Sequence, residues 1–285
     1  MRRQTEPVTL GPDSVTWRLF GDWRNLLVTL WVGSMQNMHP GIGAAVEQHS
    51  RFFEERWSRV LRSFYPVLGV VYDGPQAADT AAKVVSYHHS LAGLDAAGRR
   101  YHALAPDTFY WAHAVFFMTM VRFGDRFMGG VTENERERLF TEHISWYRLY
   151  GLTMRPVPES WAAFQTYWDH MCADVLEDTP AAGYVLDLRE LEPPRSLRWV
   201  PRPLWDRAWR LCARFLTWIT TGLYDPVIRR RLGLAWTTRD ERWHRRAGWL
   251  VHKAFTCLPR QHRYHPRARA GWRRTRGGAA GKHSP

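Results

Sequence analysis

Apolar residues recur at three- and four-residue steps along most of the chain, and the two-residue alternation of a half-buried strand is almost absent. The pattern predicts a short helix capped by Ser14 and carrying Trp17 and Phe20. An apolar helix over Leu26–Met35 follows and stops at His39-Pro40-Gly41. Ile42–His49 reads as a helix of small residues. Phe52–Tyr65 places Phe53, Trp57, Val60, Leu61 and Phe64 on one side and is expected to end or kink at Pro66. Gly69–Gly74 reads as a short extended run or a loop. Asp79–Leu91 is a further helix, and Pro106 with Asp107 suits the first turn of another that runs through Thr108–Val121. Thr132 followed by Glu135 forms a capping box that opens a helix to Tyr150, where Gly151 supplies the stop. Helices over Ser160–Glu177, Leu204–Leu223 and Asp240–Thr256 complete the reading. The fold class is all-α: one globular helical domain with a C-terminal extension.

Two of these helices bear histidines on apolar faces. Val84, His88 and Leu91 share one face, whereas His89 lies about 100° round the helix, so His88 is the one expected inside. His113 sits between Phe109, Phe116 and Phe117. A buried imidazole is either held by a hydrogen bond or holds something itself, and spacing leaves both open. Arg59, Arg62 and Ser63 fall at i, i+3 and i+4 and form either a solvated face or a polar cluster turned into a pocket.

Charge changes this picture. The net charge of +13 is uneven: residues 195–285 carry 22 Lys and Arg against 4 Asp and Glu, so the histidine-bearing part is acidic. The basic patch and the candidate chemistry are therefore separate features. Pro193-Pro194 marks the boundary, giving a helical core over 12–194, basic C-terminal helices over 195–260 and a Gly/Arg/Pro segment over 261–285 expected to be disordered. Three scattered cysteines without a CxxC argue against a disulfide framework or a zinc site and fit a reducing cytoplasm. The longest uncharged apolar stretches fall short of the roughly 20 residues that span a bilayer. Sixteen tryptophans suit a buried core, a cofactor pocket or a membrane surface. No phosphate-binding glycine loop, HExxH or GxSxG is present, and no helix-turn-helix supports a nucleic-acid partner.

Several segments in order resemble the MpaB-type oxygenases, the family that includes the rubber oxygenase called latex clearing protein. They are Met38-His39-Pro40-Gly41 through Gln48-His49-Ser50, Arg59-Val60-Leu61-Arg62-Ser63, and the run from Val84 to Gly93 with His88 at the histidine. Gly98 to Pro106, Trp111-Ala112-His113-Ala114, the Leu-Gly-Leu-Ala-Trp of 232–236 and the Leu-Pro-Arg of 258–260 continue the likeness, which covers about residues 12–275.

The resemblance implies a globin-like helical core around haem b, with His88 as the iron ligand and dioxygen as co-substrate. It implies that Arg59, Arg62 and Ser63 form the polar group on the opposite side and carry the catalysis. Arg59 and His113 join His88 as residues expected to contact the cofactor. The implied substrate is apolar, isoprenoid or lipid-like, and the basic third is expected to rest on an anionic membrane. The rubber enzymes differ in having lysine and threonine where this chain has Arg62 and Ser63, and arginines where it has Val85 and Ala92. The competing expectation is a non-enzymatic helical protein that binds an apolar ligand or an anionic membrane through its C-terminal third.

Overall fold

The computed structural model describes residues 10–50, 56–189 and 192–280, except for the side chains of 56–63, 195 and 276–280. The chain folds as the all-α domain the periodicity implies. Helix α1 spans Val15–Phe20, and a 3-10 turn over Trp23–Val28 leads into α2 (Thr29–Asn37) and α3 (Pro40–His49). Helices α4 (Arg56–Tyr72) and α5 (Ala77–Ser86) pack on each other, and a hairpin of β1 (Ala92–Leu94) and β2 (Arg100–His102) follows. The central helix α6 (Pro106–Phe127) packs against α1, α2 and α7 (Glu133–Arg148). Next come α8 (Trp161–His170), a π turn over Met171–Val175, α9 (Pro180–Leu186), α10 (Arg202–Leu223) and α11 (Pro226–Arg231). Helices α12 (Thr238–Thr256), α13 (Arg260–Arg263) and α14 (Pro266–Ala280) close the chain.

The core is built on α6, which buries fifteen of its residues as named, from Thr108 to Phe127. Three of the tryptophans anchor the packing with both the ring and the N–H satisfied. Trp17 Nε1 donates to the Val71 carbonyl (2.8 Å), Trp111 Nε1 to Met35 (3.0 Å) and Trp209 Nε1 to Leu188 (2.7 Å). The Thr132–Glu135 capping box opens α7 as its sequence indicates, and Gly151 takes φ +67° three residues beyond that helix.

Four expectations are corrected. Helix α4 runs through Pro66 to Tyr72, so neither a break at Pro66 nor a separate Gly69–Gly74 segment exists. Val67, Leu68, Val70 and Val71 are buried there, and this packing outweighs the local cost of the proline. Helix α5 ends at Ser86, which puts His88 in the turn after the helix rather than within it. The helix from Ser160 does not reach Glu177: α8 gives way to the π turn, and Thr179 then caps α9. Finally, the segment from 261 onward is ordered wherever it is described. Tyr264, Ala268 and Trp272 are buried, and Trp272 packs edge-on against Trp17 at 5.6 Å. Two of its arginines are committed to specific contacts, Arg267 to Asp73 (2.9 Å) and to the Tyr65 carbonyl (2.8 Å), and Arg274 to the Tyr72 carbonyl. Composition alone reads these residues as a solvated tail because it does not show Trp272 finding a slot.

Candidate functional site

His88 is set by the end of α5. The last carbonyls of a helix lack partners, and His88 Nδ1 pairs with that of Val84 at 2.7 Å. A carbonyl can only accept, so Nδ1 carries the hydrogen and the ring's lone pair lies on Nε2. A backbone carbonyl on one ring nitrogen is a partner that metal-ligating histidines also use. The ring is half-buried and meets Phe109 edge-on, centroids 5.8 Å apart. Val84 and Val85 are buried beside it. His89, also in the turn beyond α5, is exposed.

Positions 59, 62 and 63 lie in α4, the helix packed against α5. The side chains of Arg59, Arg62 and Ser63 fall outside the described residues. Val85 belongs to the apolar core and Ala92 is exposed on β1. An arginine at 85 would bury its charge, so this core is built for the residue it has.

The two histidines singled out by spacing are not brought together. Between them stands a layer of rings: Phe109 lies 5.1 Å from Tyr150, which lies 5.9 Å from His113. His113 is buried in the core, where Nε2–H donates to the His143 carbonyl at 3.0 Å. Its Nδ1 has no hydrogen-bond partner among the described residues. Burial drives its pKa down to about 3, so the ring is neutral. His39 precedes α3 and is buried likewise, with its pKa lowered to about 4 by burial and then by Arg99.

Sequence reasoning missed what surrounds His113. Tyr110, on α6, and His143, on α7, are both fully buried and face each other, Oη to Nε2 at 3.3 Å. His143 Nδ1–H is taken by the Phe140 carbonyl. Tyr147 and Tyr150 of the same neighbourhood complete a phenol-rich cluster. The apolar spacing of Tyr110, His113 and Phe117 signals a buried face but not the partner across it.

Two cavities open on the described residues. One, of about 480 Å³, has walls from Trp23, Leu26, Phe64, Tyr65 and His265 and is largely apolar. The other, of about 750 Å³, lies between α9 and α10, beside Arg210 and Arg214. His88 lines neither. Among the described residues no three His, Cys, Asp or Glu gather as a metal-binding group, and no helix is long and apolar enough to cross a membrane. His88, oriented by the Val84 carbonyl, is a single imidazole of the kind that could hold a haem iron.

The family model for the catalytic domain of ER-bound oxygenase mpaB/B' and rubber oxygenase matches residues 17–253. No curated protein and no solved structure matches the chain.

Proposed function

The chain belongs to the mpaB/B' and rubber oxygenase catalytic-domain family, and from that premise we propose that it is a haem b-dependent oxygenase acting with dioxygen on an apolar, isoprenoid- or lipid-like substrate. The observation that carries this reading is the hydrogen bond from His88 Nδ1 to the Val84 carbonyl, which makes Nε2 the nitrogen that would ligate the iron. When bound, the haem supplies dioxygen activation, chemistry that no side chain provides.

The chain's own residues do the rest. The Val84 carbonyl holds the His88 ring in one tautomer and one orientation and raises its basicity. Phe109 packs edge-on against the ring and limits its rotation from that side. Arg59 and Arg62 would have the charge to anchor a propionate, and the Ser63 hydroxyl would supply a hydrogen-bond donor. His113 stands one aromatic layer behind Phe109, where it packs against Trp146 and Tyr147. The apolar cavity at Phe64 and Tyr65 immediately follows position 63 in α4, and its volume lies within the common range for small-molecule sites.

Contact with an anionic membrane belongs to the same reading. On α10, Leu204, Leu211 and Phe215 recur at i, i+7 and i+11 and stay exposed (59 %, 66 % and 42 %). Arg207, Arg210 and Arg214 are exposed beside them. An apolar stripe flanked by cations is the pattern of a helix that lies in a bilayer interface, where apolar substrates dissolve.

The test is an absorption spectrum of the purified protein with a haem and iron assay. A Soret band that His88→Ala weakens, in a variant that melts as the parent does, is the expected result. A colourless protein, or a band indifferent to His88→Ala, overturns the reading.

A further inference from the structure

The buried phenols near His113 have no part in the reading above, and one differs from its neighbours. The hydroxyls of Tyr147 and Tyr167 have no hydrogen-bond partner among the described residues, and Tyr150 Oη receives the Trp146 N–H (3.1 Å). Tyr110 alone in this cluster faces a base, His143 Nε2 at 3.3 Å. The tautomer is right, because Nδ1–H is held by the Phe140 carbonyl and the lone pair on Nε2 points to the phenol. The imidazole is fixed, stacked on Phe117 at 4.3 Å, and His113 donates to its backbone carbonyl. Tyr110 is also wired to the candidate haem side by rings in contact. It lies 5.3 Å from Tyr147, which lies 6.3 Å from Phe109, which lies 5.8 Å from His88. In the other direction Tyr167, half-buried, lies 5.3 Å from it.

We propose that Tyr110 is a redox-active tyrosine paired with His143, which drains an oxidising equivalent from the haem site when no substrate consumes it. The inference rests on the haem reading. Tyr110 would give up one electron across the Tyr147 and Phe109 rings, and a haem held by His88 and oxidised beforehand by a peroxide-class oxidant would take it up. The phenolic O–H bond breaks and a bond from that hydrogen to His143 Nε2 forms. His143 becomes an imidazolium that keeps its Nδ1–H on the Phe140 carbonyl, and a neutral phenoxyl radical is left. An external one-electron reductant of the thiol or ascorbate class restores the phenol through Tyr167, and the proton returns from His143. Oxidised phenols are strong acids, so a base in place makes the step feasible inside a dry core. Burial supports this by holding His143 neutral and keeping Tyr110 protonated at rest.

The test mixes the haem-loaded protein with hydrogen peroxide and freezes it for electron paramagnetic resonance, with ring-deuterated tyrosine to identify the radical. A tyrosyl signal with an exchangeable proton coupling is expected. Tyr110→Phe, which removes only a hydroxyl, loses it, and His143→Phe, which keeps a ring on Phe117, loses it too. Melting curves and the Soret band establish that both variants fold and hold haem. With haem bound, an absent tyrosyl signal, or one that persists in Tyr110→Phe, overturns the relay alone. A protein without haem overturns the oxygenase reading and the relay with it.

Discussion

Glu142, on α7, caps helix α1 through Thr16: its Oε2 accepts both the Thr16 N–H and the Thr16 hydroxyl at 2.8 Å, and its other oxygen accepts the Val15 N–H at 3.0 Å. The carboxylate is fully buried and is further engaged by Arg138 at 3.1 Å. It satisfies donors that the first turn of any helix leaves open. Glu142→Ala strands those donors and should cost about 3–5 kcal/mol, the scale for removing one partner from a buried charged network. Urea denaturation of the two proteins measures it, and an unchanged midpoint would show that α1 docks without this cap.

Gly248 is the close contact between α12 and α6. A Cβ there would lie 2.2 Å from the backbone oxygen of Arg126, which belongs to a helix and cannot step aside. Gly248→Ala is expected to lower stability by about 1–3 kcal/mol, although alanine is the better helix former by roughly 1 kcal/mol. A rise in melting temperature would mean that the two helices separate freely.

Acid should weaken the fold through its neutral histidines. Burial lowers the pKa of His39 and His244 to about 4 and that of His113 to about 3, well under the ordinary value near 6.5. The unfolded chain thus binds more protons in the window between. Their stabilisation is complete above pH 6.5 and is lost as pH falls towards 4, by about 1.4 kcal/mol per pH unit for each histidine. Melting curves from pH 8 to 4 read this slope. His244→Phe should flatten it even though the Ile219 carbonyl loses its 3.0 Å partner.

Trp272 holds the C-terminal helix to the core, between Trp17, Tyr264 and the Arg260 guanidinium, which lies 4.5 Å over its ring. Trp272→Ala is expected to cost about 3–5 kcal/mol, read by denaturant titration. A loss near zero would return this segment to the solvated tail its composition suggests.

The membrane contact is best tested by point changes, since cutting away the basic helices would also strip the core. Leu211→Glu with Phe215→Glu should abolish sedimentation with phosphatidylglycerol vesicles and leave the melting curve unchanged. Equal binding by the parent and the double variant would exclude α10 as the contact.

Local signals carried much of the fold. The Thr132–Glu135 box, the stop before Gly151 and the apolar faces of α6 and α10 can each be read within one or two turns of chain. What was not legible depended on partners far away in sequence. Pro66 looks like a terminator until Val67 to Val71 are seen to be buried, and the C-terminal segment looks solvated until Trp272 meets Trp17. At the candidate site, His88 stood out by spacing, yet its anchor is a backbone carbonyl, which no side-chain pattern displays. Tyr110 and His143, 33 residues apart, meet only because α6 and α7 pack together.

The N–H of His265 donates to the carbonyl of Gly21 at 2.9 Å, next to a bridge between Asp22 and Tyr264. A chain emerging from the ribosome therefore makes α1 well before the residues that seat it, some 240 positions further on. Until then the Trp17 and Tyr72 rings lack their cover. The nascent protein would offer a greasy patch to chaperones in that interval, and would become protease-resistant abruptly once Trp272 can reach Trp17.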